Sequence, residues 1–177
     1  MRTDDFWGLI ERARSGAGDD PKVIAERAAA ELARAPADII GFDRHLARVL
    51  AASNRVDLWG AAYLINGGAS DDGFDHFRGW LLGQGRSVFA RAAGDPDSLA
   101  DLPAVRRAAA TGEEFAAEMM LGIADEAYRR ATGRGLPPAV DPLPRLDPAE
   151  FWDFDDEEEA RRRLPRLAEL FLEPPDQ

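Results

Sequence analysis

Between Asp57 and Gln84 the chain reads DLWGAAYLINGGASDDGFDHFRGWLLGQ, its densest mixture of polar and aromatic residues. Asp71, Asp72, Asp75, His76, Arg78, Trp59 and Trp80 bring carboxylates, an imidazole, a guanidinium and indoles into this one stretch. Two chemistries are open to them. In the first, Arg78, oriented by Asp75, holds an anionic or amide-bearing ligand, because a guanidinium offers a planar fork of donors. Trp59 and Trp80 would wall that pocket, and Asn66, Ser70, Asp71 and Gln84 complete the candidate ligand-binding set. In the second, Asp72, Asp75 and His76 converge within one helical turn as ligands for a cation. A purely structural reading competes with both. Asp71 and Asp72 suit a helix N-terminus, Asp75 pairs with Arg78 at i,i+3, and the glycines form a turn.

Other reactive constellations are weaker. A glycine-rich turn before a helix resembles a phosphate cradle, but Asp71 and Asp72 already place negative charge there. No strand precedes the turn, and the lysine of a P-loop is missing. Ser70 reads as a helix cap, since it lacks the strand-turn-helix frame of a nucleophile elbow. No nucleophile is identifiable beside His76 for it to serve as a base. Asp43 and His45 in GFDRHL point in different directions on a helix. There is no cysteine, hence no disulfide, thiolate zinc site or cysteine nucleophile. The balance leans away from an enzyme, and no cofactor signature is present.

The elements that must position these residues are helices. Thr3 is read as the cap of a first helix carrying Phe6, Leu9, Ile10 and Ala13. Asp20 and Pro21 start a second, running to about Ala35, and Pro36 opens a third. The fourth, Asp57 to about Ile65, is apolar nearly all round and is expected to be the buried central element. Asn66-Gly67-Gly68 stops it, and Ser70 caps a fifth that is expected to continue, bent at Gly83 and Gly85, through Phe89. On that fifth helix Phe77 and Leu81 lie within about 60° of Phe74, Arg78 lies about 40° to the other side, and Asp75 lies at about 100°. The guanidinium therefore starts from the border of the buried face. Glu113 to about Thr132 reads as a further helix. Residues 133 to 148 hold five prolines and two glycines and read as an extended linker with room for short strands. Asp153 to Phe171 reads as a final helix. Its acids precede Arg161, Arg162 and Arg163 at i,i+4, so the run DFDDEEE is expected to neutralise itself, leaving Phe151 and Trp152 as the feature of a docking tail.

The chain has 177 residues, 45% hydrophobic and 31% charged, enough for one packed domain. We therefore expect an all-α fold: a helical core over residues 1–135 built around the helix-turn-helix pair of residues 57–92, then the linker and acidic helix over 136–177 packing on it. Acidic residues at the N-terminus, and the absence of any run near the roughly 20 apolar residues of a membrane span, argue against export and insertion and for a cytoplasmic place. A net charge of −11 disfavours direct duplex nucleic-acid binding. Lys22 is the only lysine among 22 basic residues, a mark of coding bias more than of chemistry.

FDRHL, the Asp57–Gln84 stretch and GDPDSLADL resemble the bacterial domain-of-unknown-function 4240 family. So do the FWGLIERAR and EEFAAEMMLGIADEAYRRATG helices and the acidic FW-containing tail. The resemblance covers about residues 1 to 135. It implies a small α-helical bacterial domain, sometimes found beside other modules, and carries no catalytic role. The family pattern often has cysteine where Ala69 stands and tyrosine where His76 stands, which weakens a metal role for His76. Asn66, Asp71, Asp72, Asp75, Arg78, Trp80 and Gln84 match it. Three functional readings remain: a non-catalytic binding or adaptor module with a ligand or peptide pocket near residues 66–80, a carboxylate-based metal-dependent protein or enzyme, or an acidic inhibitor or immunity-type protein occupying a basic partner surface.

Overall fold

A computed structural model describes residues 1–138 and 146–174. Among them helices are the only regular structure and no strand occurs, so the fold is all-α. The helices are α1 (Thr3–Arg14), α2 (Pro21–Leu32), α3 (Pro36–Ala52), α4 (Val56–Asn66), α5 (Asp71–Gly83), α6 (Arg86–Gly94), α7 (Pro103–Thr111), α8 (Glu118–Leu121), α9 (Ile123–Thr132), α10 (Glu157–Arg163) and α11 (Pro165–Phe171). A 3₁₀ turn, Pro96–Asp101, separates α6 from α7. α2 packs against α1 and α9, α5 against α8, and α3 against α9. Phe6, Phe42, Phe74, Phe77, Leu58 and Leu81 are fully enclosed where these elements meet. The apolar stripe anticipated on α5 is thus its buried face.

Local chemistry explains most boundaries. Asp20 accepts from the Lys22 backbone N–H at 2.9 Å and Ser70 from that of Gly73 at 3.2 Å, as capping residues do. Gly67 closes α4 with φ +66°, the left-handed conformation that costs glycine little. Thr3 is not a cap; Arg2 takes that position, and its own N–H is accepted by Asp5 at 3.0 Å.

Three helices are shorter than their periodicity predicts. α5 does not bend through Gly85. It ends at Gly83, because Gly85 adopts φ +90° and no helix continues through that conformation. Glu113–Thr132 is not one helix. Its first residues are drawn out of helical pairing when the Phe115 N–H bonds the Asn66 side chain at 2.9 Å and the Ala117 N–H bonds the His76 carbonyl at 2.9 Å. This segment lies so close to α5 that a Cβ on Gly79 would overlap the Ala117 carbonyl. The final helix breaks at Leu164, where Pro165 keeps the residue before it out of the helical conformation (φ −132°, ψ +56°) and opens α11. The central part of the expected linker, residues 139–145, lies outside the described residues.

Candidate functional site

The structure divides the residues expected around one pocket into a closed polar knot and an open cleft. The knot is centred on Arg78, whose side chain is 3% exposed. Its Nη1 donates to the Leu50 carbonyl at 2.8 Å, its Nη2 to the Asp75 carboxylate, and its guanidinium lies 4.6 Å from the centre of the Phe74 ring. Among the described residues its Nε has no hydrogen-bond partner, and it is buried. Leu50 belongs to the last turn of α3, where carbonyls carry the negative end of the helix dipole, so Arg78 acts as a cap supplied from α5. Ser53 Oγ donates to the same carbonyl at 3.0 Å.

The other members of the constellation are tied down around this knot. Trp59 stacks on Phe74 with ring centres 5.0 Å apart, and its indole N–H donates to the Ala69 carbonyl at 2.9 Å. Asn66 bonds the Phe115 backbone in both directions, accepting its N–H and donating to its carbonyl at 3.1 Å. Ser70 is the cap of α5, and Asp71 and Asp72 are exposed in its first turn. No group of three or more His, Asp or Glu able to hold a metal ion occurs among the described residues, and that includes Asp72, Asp75 and His76. His45, on α3, is held with Nδ1 3.0 Å from the Gly41 carbonyl and its ring stacked on Phe6. Burial on α3 pushes the Asp43 carboxyl above its usual range.

Trp80 and Gln84 lie on the other side of α5. Trp80 stacks on Phe115 with ring centres 4.1 Å apart and planes inclined by 17°. Together with Gln84, Asp19, Pro21, Ala104, Arg107, Glu113, Glu114 and Ala116 they line a cleft of 130 Å³. Trp59 is not among its walls, so the two indoles do not face one another across a single pocket. Among the described residues the Trp80 indole N–H and the Gln84 amide have no hydrogen-bond partner. At the rim Arg107 meets Glu113 only at 3.7 Å, while Asp19 and Glu114 are exposed. The phenylalanine wall is held in place by Asn66, which connects the knot to the cleft.

Arg107, Glu113, Glu114 and Asp19 were not anticipated as site residues. They come from α7, the segment after it and the turn before α2, and nothing local in the sequence marks their convergence on Trp80.

A second concavity, an open trough of 660 Å³, runs between α1 and α6 over Trp7 and Gly8. Its polar groups engage one another: Arg86 bonds Asp4 at 2.7 Å, and Glu11 accepts the Arg86 backbone N–H at 3.0 Å and an Arg14 N–H at 3.1 Å.

The model of a family described as a protein of unknown function, DUF4240, matches residues 1–130. No curated protein and no solved structure matches the chain.

Proposed function

The chain belongs to the DUF4240 family, and from that premise we propose that it is a non-catalytic binding module whose Trp80–Gln84 cleft receives one cationic side chain of a partner protein. Size supports this first. A cleft of 130 Å³ is well below the roughly 300–1,000 Å³ of pockets that enclose whole small ligands. It has room for about four waters at about 30 Å³ each, which is the scale of one side chain.

Charge gives the sign. Asp19, Glu113 and Glu114 face Arg107 at the rim, so the carboxylates prevail. The Trp80–Phe115 pair offers an apolar wall for the methylene stem of an arginine or lysine, and the rim offers carboxylates for its tip. The free Trp80 N–H and Gln84 amide remain for the partner's main chain. The net charge of −11 adds long-range attraction to a basic surface, so the adaptor and acidic-inhibitor readings describe the same contact. The carrying observation is the coincidence of a stacked aromatic wall, an unengaged amide and an acidic rim at one small opening.

The test is a tryptophan-fluorescence titration with capped pentapeptides, glycine throughout except for a central arginine, lysine, leucine or glutamate. Arginine and lysine peptides are expected to bind more tightly than the others, with affinity falling as salt rises. Glu113→Gln combined with Glu114→Gln should erase that preference while the protein stays folded. Equal binding of all four peptides, or a preference for glutamate, contradicts the proposal.

A further inference from the structure

With 33 acidic residues against 22 basic ones, carboxylates are in excess over guanidiniums along the chain. Elsewhere among the described residues no carboxylate serves more than two arginines, as Glu126 and Glu159 do. At the end of the 3₁₀ turn Pro96–Asp101 the ratio inverts. Asp101 serves three: Arg91 of α6, Arg106 of α7 at 3.9 Å and Arg166 of α11. Two further acids stand nearby. Asp97, 8% exposed, accepts the backbone N–H groups of Arg166 at 3.1 Å and Leu167 at 2.9 Å, so its charge is turned to the start of α11. Asp95 is exposed and pairs with none of the three arginines among the described residues.

Three carboxylates thus balance three guanidiniums in formal charge, and the surplus lies in hydrogen-bond donors. Arg106 Nε donates to the Ala100 carbonyl at 2.8 Å, and Arg91 and Arg166 each give one Nη2 to a different oxygen of Asp101. Three guanidiniums carry about fifteen N–H groups between them. Hydrogen bonds among the described residues engage one nitrogen of each, and the three side chains are about half exposed. The remaining donors, brought from three separate helices, meet solvent at one point.

From this convergence we propose that the Asp101 cluster is a binding site for a phosphate or diphosphate group of a small soluble ligand. A guanidinium fork matches phosphate oxygens two at a time, and the several oxygens of such a group can accept from more than one fork at once. The Ala100 carbonyl and the Asp101 carboxylate hold the forks in place, so little side-chain freedom is left to lose on binding. The site is separate from the Trp80–Gln84 cleft, whose lining contains neither Asp101 nor any of the three arginines.

The test is a melting-temperature series on the full chain at fixed ionic strength with sodium pyrophosphate, ADP or sodium acetate. Pyrophosphate is expected to raise Tm by several degrees and to saturate, whereas acetate leaves it unchanged. An added response to ADP supports the diphosphate tail of a nucleotide as the source, and a response to pyrophosphate alone supports the free ion. Equal effects of pyrophosphate and acetate, or a response to ADP without one to pyrophosphate, overturn the proposal. Arg91→Gln combined with Arg106→Gln should weaken pyrophosphate binding by at least about tenfold, and unchanged affinity overturns the assignment to this cluster. If that variant fails to fold, ¹⁵N NMR of the wild-type chain decides. Pyrophosphate should shift the Arg106 Nε–H and the Asp101 backbone amide, and shifts centred elsewhere overturn the site.

Discussion

Arg78 and Gln84 sit six positions apart on or just after one helix and have opposite characters. Arg78 is enclosed, and its guanidinium holds the C-terminal end of α3. Arg78→Ala leaves the Leu50 carbonyl short of a charged donor and should lower unfolding free energy by roughly 2–3 kcal/mol in a denaturant titration. Gln84→Ala removes a partly exposed amide with no partner among the described residues, so stability should change by less than about 0.5 kcal/mol while peptide affinity falls. Arg107→Ala carries a sign that separates the proposed recognition from generic stickiness. Removing the one basic group at the rim should strengthen binding of an arginine-centred peptide, and weaker binding would refute the acidic-rim argument. The sequence led correctly to the Asp75–Arg78 pair and the Ser70 cap, because both are settled within one helical turn. It could not show that Arg78 is sealed: the sealing carbonyl belongs to Leu50, 28 positions earlier.

Among the elements, those with their own punctuation were legible: α2 from Asp20-Pro21, α4 from the glycines after Asn66, α5 from Ser70. The discrepancies arise where tertiary contacts override periodicity. Residues 113–117 have a helical pattern but are drawn out by Asn66 and the His76 carbonyl, and the cleft exists because of that displacement. Asn66→Ala should therefore cost about 1–2 kcal/mol and loosen the Phe115 wall, reducing peptide affinity from a position outside the cleft. α4 offers a contest of magnitudes at Gly60. Alanine there gains about 1 kcal/mol of helix propensity. It also clashes with the Trp152 ring, which fills the notch left by Gly60, and overpacking typically costs about 1–3 kcal/mol. Gly60→Ala should release the C-terminal segment, residues 149–174, visible as a change in Trp152 fluorescence, while the helical signal of α4 is retained. An unchanged Trp152 environment would mean that the notch tolerates a methyl group.

At the scale of the whole molecule, acid is a lever on the C-terminal segment. Hydrogen bonds from Arg162 and Arg163 hold the Glu159 carboxyl down at about 2 against an ordinary 4.5. Arg166 and Arg91 hold that of Asp101 low in the same sense. A depressed folded-state pKa stabilises the fold above the unfolded value and ceases to do so as pH falls through the folded value. The pairing inside α10 should therefore be lost between about pH 4.5 and pH 2, the Asp101 tie to Arg166 should weaken in the same direction as pH falls, and Trp152 emission should report the change. No described helix is long and apolar enough to cross a membrane. The all-α class was readable from periodicity, the acidic balance from composition, and the family from the resemblance of its motifs. The particular contacts between the C-terminal segment, residues 149–174, and the core were not, since Asp97 meets α11 about 70 positions away with no local signal. The most direct test of the proposed recognition is a two-dimensional ¹⁵N NMR titration of the full chain with the arginine-centred pentapeptide. Shifts concentrated at the Trp80 indole N–H, the Gln84 side-chain amide and the Phe115 backbone are predicted. Shifts centred on Trp59 and Ser70, or none at any peptide concentration, would contradict it.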